Sequence, residues 1–155
     1  MRAISLGYIH ELRKFVGNQP IIMVGATLLV LNKENQLLMI KRTDNNRWGV
    51  PGGAMELGES LEDTVKREIK EEIGVEVKDL ELFGVYSGQE LYYKYPNGAE
   101  VYNVSAVYII RNFAENVIVN PDEHSEYKYF DVRNLPEEVS PPIKPILRDL
   151  QARNN

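Results

Sequence analysis

Apolar and polar residues alternate along the chain in blocks that predict a mixture of strands and helices. Residues 21–32 form a nearly continuous apolar run with many β-branched side chains, which is typical of a buried strand. A polar turn follows, and 37–42 is then predicted as the returning strand of a hairpin. Further strands are predicted at 75–88, 101–112 and 126–132, with a Pro-Asn-Gly turn before the second of them.

One amphipathic helix is predicted between Ser60 and Gly74. An apolar side chain recurs at every fourth position and forms a single stripe: Leu61, Val65, Ile69 and Ile73. Ser60 suits the N-cap of this helix and Gly74 suits its C-cap. Shorter helices are predicted at 8–16 and at about 141–153. Because helices and strands are interspersed, an α/β or α+β sandwich is expected.

The main helix carries three glutamates within five positions, in the sequence REIKEEIG. On a helical wheel Glu72 lies inside the edge of the apolar sector and Glu68 lies beside it, whereas Glu71 lies further round, next to Arg67. A carboxylate that is partly removed from water needs a cation, hydrogen bonds or a proton. A single arginine does not neutralise three such groups, so a divalent metal ion is one interpretation. A solvated acidic face is the other.

The loop before the helix favours the metal interpretation. Its sequence is PGGAMELGES, in which Gly52 and Gly53 allow the backbone to approach a ligand closely. Two further glutamates, Glu56 and Glu59, flank Gly58 in the same loop. A glycine-rich loop that leads into an acidic helix is suited to binding metal and phosphate together.

Composition narrows the choice of metal. The chain has no cysteine and only two histidines, His10 and His124, so thiolate and multi-histidine sites are not expected. The ligands would then be mostly oxygen, which favours Mg²⁺ or Mn²⁺.

The net charge of −5 does not favour nucleic acid or anionic membranes as partners. The N-terminus is a poor signal peptide and no apolar run approaches the length of a membrane span, so a cytoplasmic protein is expected.

The loop and the helix together resemble the signature of the Nudix hydrolases. That signature fixes glycine, glutamate, arginine and aliphatic residues at set spacings. Every fixed position is filled in this chain, by Gly53, Glu59, Arg67, Glu68, Ile69, Glu71, Glu72, Gly74 and Val75. A match of this length is far more specific than a short glycine motif.

The resemblance implies a fold and a reaction. The fold would be an α/β/α sandwich with a central mixed β-sheet over residues 20–155, preceded by an N-terminal helical extension at 1–19. The reaction would be metal-dependent hydrolysis of a pyrophosphate bond in a nucleoside diphosphate linked to another moiety, with Mg²⁺ or Mn²⁺ as the cofactor. The partner would be a small nucleotide, with no nucleic acid and no membrane. A homodimer built on the N-terminal helix and a monomer both stay open.

The resemblance also assigns roles to residues. Glu68, Glu71 and Glu72 correspond to the catalytic and metal-binding glutamates, and the Gly52 carbonyl corresponds to a backbone ligand. Gly53, Glu59 and Arg67 would support the signature, the last two as a salt bridge from loop to helix. The general base stays open between Glu68 and a later acidic residue. A further metal ligand is expected near the last strand, where Glu126 is preferred to Glu123 and Glu115.

Substrate-binding residues are less well defined by the sequence. Arg42 and Arg47 are candidates for holding a phosphate, and Tyr92 is a candidate for contacting the rest of the substrate. ADP-ribose, dinucleoside polyphosphates, nucleotide sugars and nucleoside triphosphates all remain open as substrates. The alternative function is a catalytically weak nucleotide-binding or regulatory module, although no glutamate of the signature is missing.

Overall fold

The structure is a computed structural model that describes residues 7–154. The helices are α1 (Tyr8–Val16), α2 (Leu61–Ile73) and α3 (Lys144–Arg153). The strands are β1 (Ile21–Asn32), β2 (Gln36–Arg42), β3 (Trp48–Gly49), β4 (Gly52–Ala54), β5 (Glu81–Tyr86), β6 (Tyr92–Lys94), β7 (Glu100–Phe113) and β8 (His124–Asp131). Two short 3₁₀ turns occupy Gln89–Leu91 and Pro141–Ile143.

The strands form one mixed sheet. The main path runs β3-β2-β1-β7-β5, and β4, β6 and β8 pair with β1, β7 and β2 respectively. The two longest strands, β1 and β7, run parallel, whereas the other pairs are antiparallel. The prediction of an α/β fold with a central mixed sheet is therefore confirmed.

Side chains of β1 alternate between the two faces of the sheet and so build two cores. Leu28 and Val30 belong to the core beneath α2, and Leu29 and Leu31 belong to the core beneath α3. Since β1 is covered on both faces, its sequence is apolar at every one of these positions. The result is a sandwich in which α2 holds one face and α3 the other.

One predicted boundary was wrong. The predicted strand at 75–88 is a strand only over Glu81–Tyr86, because Val75 and Val77 pack on the core beneath α2 before the chain reaches its partner β7. The segment 43–59, whose Gly, Asn and Pro content predicts mostly loop, is largely loop but also contains the two short strands β3 and β4.

Helix α1 confirms the prediction at 8–16 and ends at Gly17. No residue of α1 is buried, and Arg13 anchors it by donating to the carbonyls of Gly17, Gln19 and Glu100. Residues 1–6 of the predicted extension lie outside the described residues, and the division of the chain at residue 20 stays a prediction.

Within residues 7–154 no helix has both the length and the apolar content needed to cross a membrane. The cytoplasmic location stays a prediction.

Glycines allow β4 to lie directly against β1. Gly25 pairs with Ala54, and a Cβ atom built on Gly25 would lie 2.5 Å from the Gly53 carbonyl oxygen. A Cβ on Gly52 would lie 2.5 Å from the Ala26 carbonyl oxygen. These obstacles are backbone atoms, which cannot move aside without moving a strand.

Gly25→Ala should therefore lower the free energy of unfolding by about 1–3 kcal/mol, the usual cost of overpacking. Urea unfolding followed by circular dichroism measures this change. Gly49→Ala is the matched control, because its added Cβ would meet only the Ser140 hydroxyl at 4.0 Å. Equal stability of the two variants would contradict the close packing of β4 on β1.

Candidate active site

Helix α2 has defined ends, which fix the direction of its glutamates. The Ser60 hydroxyl accepts a hydrogen bond from the Asp63 N–H at 3.1 Å, which confirms the predicted N-cap. Gly74 adopts the left-handed conformation at φ 71° and donates its N–H to Lys70, which confirms the predicted C-cap. The stripe residues Val65, Ile69 and Ile73 are buried in the core. The neighbouring face of the helix, which carries Glu68 and Glu72, is therefore turned towards β4.

Glu72 is buried, with 5% of its surface exposed. One carboxylate oxygen accepts a hydrogen bond of 2.7 Å from the Gly52 N–H. Burial raises the pKa of Glu72 well above its ordinary value, and the nearby charge of Glu68 adds to this effect. The wheel-based expectation that this glutamate turns towards the core is confirmed.

Glu68 lies one turn earlier, directly over the backbone of Gly53. A Cβ atom on Gly53 would lie 2.3 Å from the carboxyl carbon of Glu68, so only glycine leaves room for this carboxylate. Burial raises the pKa of Glu68 to about 7, although its hydrogen bond with Arg67 acts in the opposite direction. The two carboxyl groups nearest β4 thus both hold protons more strongly than ordinary glutamates.

Arg67 joins the loop to the helix. Its guanidinium donates two hydrogen bonds to Glu59, at 2.6 and 3.0 Å, and one to the Ala54 carbonyl at 3.0 Å. It also contacts Glu68 at 2.7 Å and Glu71 at 3.5 Å. The paired hydrogen bonds from Arg67 lower the pKa of Glu59 to about 2, so this carboxylate stays charged at neutral pH. The salt bridge that the resemblance implied is present in the structure.

Glu68 and Glu72 line an open cleft beside β2 and β8. Its other lining residues are Arg42, Thr43, Asp44, Gly52, Asp122, Glu123 and His124. One ligand atom each of Glu72, Glu123 and His124 lie within 4.8 Å of one another. Carboxylate oxygens and an imidazole nitrogen at such spacing are suited to a divalent metal ion.

His124 was not selected from the sequence. It is buried, and its Nδ1 atom has no hydrogen-bond partner among residues 7–154. Burial lowers the pKa of His124 to about 4, and the positive charge of Arg42 adds to this, so the ring is neutral at neutral pH. An unsatisfied buried polar atom costs about 1–3 kcal/mol, which calls for a ligand or another compensation.

The loop before β8 is attached to α2 through main-chain hydrogen bonds. The Asn120 N–H donates to the Glu72 carbonyl at 3.0 Å, and the His124 N–H donates to the Asn120 carbonyl at 2.9 Å. The Ile118 N–H donates similarly to the Ile73 carbonyl at 3.0 Å. The last turn of α2 and the residues Glu123 and His124 therefore keep a fixed spacing.

Glu126 is not brought to the cleft. Strand β8 begins at His124, two residues before the predicted start, and Glu126 is exposed and pairs in register with Lys41. The register shifts between Lys41 and Arg42, as in a β-bulge, and such a bulge re-aims the neighbouring side chains. Glu123, the alternative in the same segment, lines the cleft instead, whereas Glu115 lines a separate depression.

Of the three predicted substrate-binding residues only Arg42 lines the cleft. Its guanidinium makes a two-pronged ion pair with Asp44, at 2.9 and 2.7 Å. Arg47 donates to the Val139 carbonyl at 3.3 Å. Tyr92 donates to Glu100 and packs against Tyr102, and it is not among the residues that line the cleft with Glu68 and Glu72.

A second pocket adjoins the cleft and shares Gly52 with it. Its lining is partly apolar, from Met23, Val50, Leu91, Val104 and Ile146, and partly polar, from Thr27, Tyr95, Asn103 and Ser105. The sequence contained one signal of this pocket: three of these polar residues interrupt the apolar runs of β1 and β7. Thr27 and Ser105 share a hydrogen bond of 2.9 Å across the parallel pair.

Known proteins resemble this chain in sequence and in fold. An ADP-ribose pyrophosphatase from Methanocaldococcus jannaschii is 36% identical over 111 residues, which cover 70% of this chain and 62% of that protein. An RNA pyrophosphohydrolase from Haemophilus influenzae (strain PittEE) is 38% identical over 69 residues, which cover 44% of this chain and 35% of that protein. The matched part therefore spans less than two thirds of either relative.

The MutT NUDIX hydrolase from Burkholderia pseudomallei has a similar crystal structure. Its TM-score to this chain is 0.68 at 28% identity, with 84% of this chain and 97% of that chain covered. The family model described as NUDIX domain matches residues 22–150, a range that holds all three glutamates of the cleft, the loop before β8 and most of α3. On the strength of that match, this chain belongs to the Nudix family.

Proposed function

We propose that the chain hydrolyses a pyrophosphate bond in a small nucleoside diphosphate derivative and that a divalent metal ion assists it. The observation that carries the proposal is the burial of Glu72 in a cleft that also holds Glu68, Glu123 and His124. A buried anion among further acidic groups is costly unless a cation joins it.

The ligand set that we propose differs from the sequence-based one in a single position. Glu68, Glu72 and the Gly52 carbonyl are retained, and Glu123 replaces Glu126. Glu71, whose side chain is 43% exposed, is also retained. When bound, a divalent ion supplies positive charge that offsets the carboxylates and the phosphate oxygens. Mg²⁺ is the first ion to test and Mn²⁺ is the second.

The protein's own residues then perform the proton transfer and hold the substrate. Water attacks one phosphorus, a new P–O bond forms, and the bond to the bridging oxygen breaks so that the second phosphate leaves. Glu68 lines the cleft beside Glu72 and is suited to take the proton from the attacking water. Arg42 faces the same cleft and is suited to hold a phosphate with its planar guanidinium.

The second pocket is suited to the nucleoside. Its apolar walls offer a contact surface for a base, and Asn103, Ser105 and Thr27 offer donors and acceptors for the base or the ribose. Because it shares Gly52 with the cleft, a nucleoside held there would direct its phosphates towards Glu68 and Glu72. ADP-ribose is the first substrate to test, since a relative of that specificity matches over 70% of the chain.

Activity against a panel of compounds tests this proposal. With Mg²⁺ present, we expect release of two phosphate-containing products from ADP-ribose or another small nucleotide, identified by chromatography and mass spectrometry. The panel should also contain dinucleoside polyphosphates, nucleotide sugars, nucleoside triphosphates and an RNA with a 5′-triphosphate. Tight nucleotide binding without any turnover would favour a binding or regulatory module, and turnover of the RNA alone would overturn the assignment to a small substrate.

Glu72→Gln should abolish most of the activity, with a fall in kcat of at least 10²-fold, because it removes the charge of a central ligand. Steady-state kinetics at saturating Mg²⁺ measure the effect. Glu76→Gln is the control, because Glu76 is an exposed glutamate that pairs only with Lys70 in the described structure. A Glu72→Gln enzyme with nearly full activity would contradict the proposed centre.

Gly53→Ala should separate activity from stability. Its Cβ would displace the end of the Glu68 side chain rather than backbone, so the fold should survive while the carboxylate moves. A misplacement of about 1 Å can lower the rate by about 10²-fold, and we expect a loss of that order in kcat. Unfolding of Gly53→Ala as severe as that of Gly25→Ala would show that the glycine serves packing instead.

The metal-free protein should lose stability as the pH rises. The folded state raises the pKa of Glu68 from 4.5 to about 7, so it binds a proton more readily than the unfolded chain. The resulting stabilisation is fully present below about pH 4.5 and is lost as the pH passes through about 7. Urea unfolding in EDTA measures the fall in the free energy of unfolding between low and neutral pH. We expect this fall to be smaller in Glu68→Gln than in the wild type, by on the order of 2 kcal/mol. The same slope in both proteins would contradict the assignment.

A further inference from the structure

The environment of His124 is not explained by the reaction proposed above. Its ring is 3% exposed, and Nδ1 has no hydrogen-bond partner among the described residues. A neutral imidazole carries one lone pair on nitrogen, which is a metal ligand when nothing else occupies it. Buried polar atoms in folded proteins almost always have a partner, so a ring with an unpartnered nitrogen, in a residue that lines the same cleft as Glu72 and Glu123, indicates a missing one.

The distances suit two ligands of one ion better than a hydrogen-bonded pair. His124 Nε2 lies 3.7 Å from Glu72 Oε2, which is too long for a hydrogen bond. Two ligand atoms that are each about 2.1–2.2 Å from the same ion lie roughly 3–4 Å apart at bond angles of about 90–130°, a range that includes this distance. Glu123 offers a third atom, and the three ligand atoms lie within 4.8 Å of one another.

The position of the ring is set by main chain on both sides. The His124 N–H is bonded to the Asn120 carbonyl, and Asn120 is bonded in turn to the carbonyl of Glu72. On the other side His124 pairs in register with Arg42, next to the bulge in β8. The imidazole is thus held beside the Glu72 carboxylate by hydrogen bonds that do not involve either side chain.

We propose that His124 donates a ring nitrogen to the divalent ion held by Glu72 and Glu123, which makes a mixed nitrogen–oxygen centre that prefers Mn²⁺ to Mg²⁺. This inference rests on the metal centre of the proposed function and changes its expected chemistry. Oxygen-only sites suit Mg²⁺, whereas an imidazole ligand favours a transition metal ion. The preference for oxygen inferred from the scarcity of histidine therefore does not extend to this position.

Pulsed electron paramagnetic resonance of bound Mn²⁺ tests the ligand directly, because it detects the magnetic coupling of a coordinated ¹⁴N nucleus. The full chain is freed of metal with EDTA, and Mn²⁺ is added at less than one equivalent. We expect imidazole ¹⁴N coupling in the wild type. The coupling should persist in His10→Gln and disappear in His124→Gln, and these two variants are matched because His10 and His124 are the only histidines.

Metal affinity gives a second measure that does not depend on turnover. Removal of a group that merely supports a ligand costs about 10- to 100-fold in metal affinity, so removal of the ligand itself should weaken Mn²⁺ binding by at least tenfold. Mg²⁺ binding, followed by competition with Mn²⁺, should change less, so that the preference of the wild type for Mn²⁺ shrinks in His124→Gln. Circular dichroism and thermal unfolding establish that the variant is folded.

The outcomes separate this inference from the proposed function. Mn²⁺ that binds the wild type without imidazole coupling overturns the role of His124, whether or not the enzyme is active and whether or not His124→Gln folds. Equal Mn²⁺ affinity of folded His124→Gln and wild type overturns it as well. Imidazole coupling without turnover of any compound upholds the metal centre and defeats the hydrolase proposal. Turnover with Mg²⁺ and no coupling leaves the hydrolase proposal in place and defeats the nitrogen ligand.

Discussion

The structure of the candidate active site depends on the burial of one carboxylate, that of Glu72. Glu72 is almost entirely removed from water, receives a hydrogen bond from Gly52, and has Glu68 and Glu123 among its acidic neighbours. A charge in that position is unfavourable unless a cation or a proton accompanies it. The folded protein holds it there because the apolar stripe of α2 packs against β1 and β2 and turns the glutamate towards the sheet. Packing energy thus keeps in place a buried carboxylate that needs a cation or a proton beside it.

The burial of Glu72 against β4 also explains why the loop before α2 contains two glycines and a salt bridge. Without side chains at Gly52 and Gly53, the backbone of β4 fits between β1 and the helix. Arg67 then fixes the rest of the loop by bonding both oxygens of Glu59 and the carbonyl of Ala54. The loop therefore holds one conformation, so little rearrangement is needed when a ligand arrives, and preorganisation of this kind favours both binding and catalysis.

Local patterns in the sequence predicted what is local in the structure. The helix, its caps and the inward turn of Glu72 all follow from spacings within fifteen residues, and the structure confirms them. The positions of side chains that depend on pairing between strands distant in sequence could not be predicted in this way. Whether Glu123 or Glu126 reaches the cleft depends on the bulge opposite Arg42, which no pattern in β8 reveals. The scarcity of histidine describes the whole chain and does not reveal that His124 is buried beside Glu72, because its burial depends on the packing of β8.

The hydrogen bonds from Glu72 through Asn120 to His124 involve only main-chain atoms. Exposed side chains between β7 and β8, other than Glu123, can therefore be exchanged while these main-chain hydrogen bonds are kept. A proline at position 120 or 124 would remove one of the two N–H donors, and a change in the number of residues would also interrupt the connection. This segment is consequently a place where evolution or protein engineering can vary recognition while the geometry of the centre is inherited unchanged. The chemistry and the specificity of such a fold can then diversify independently.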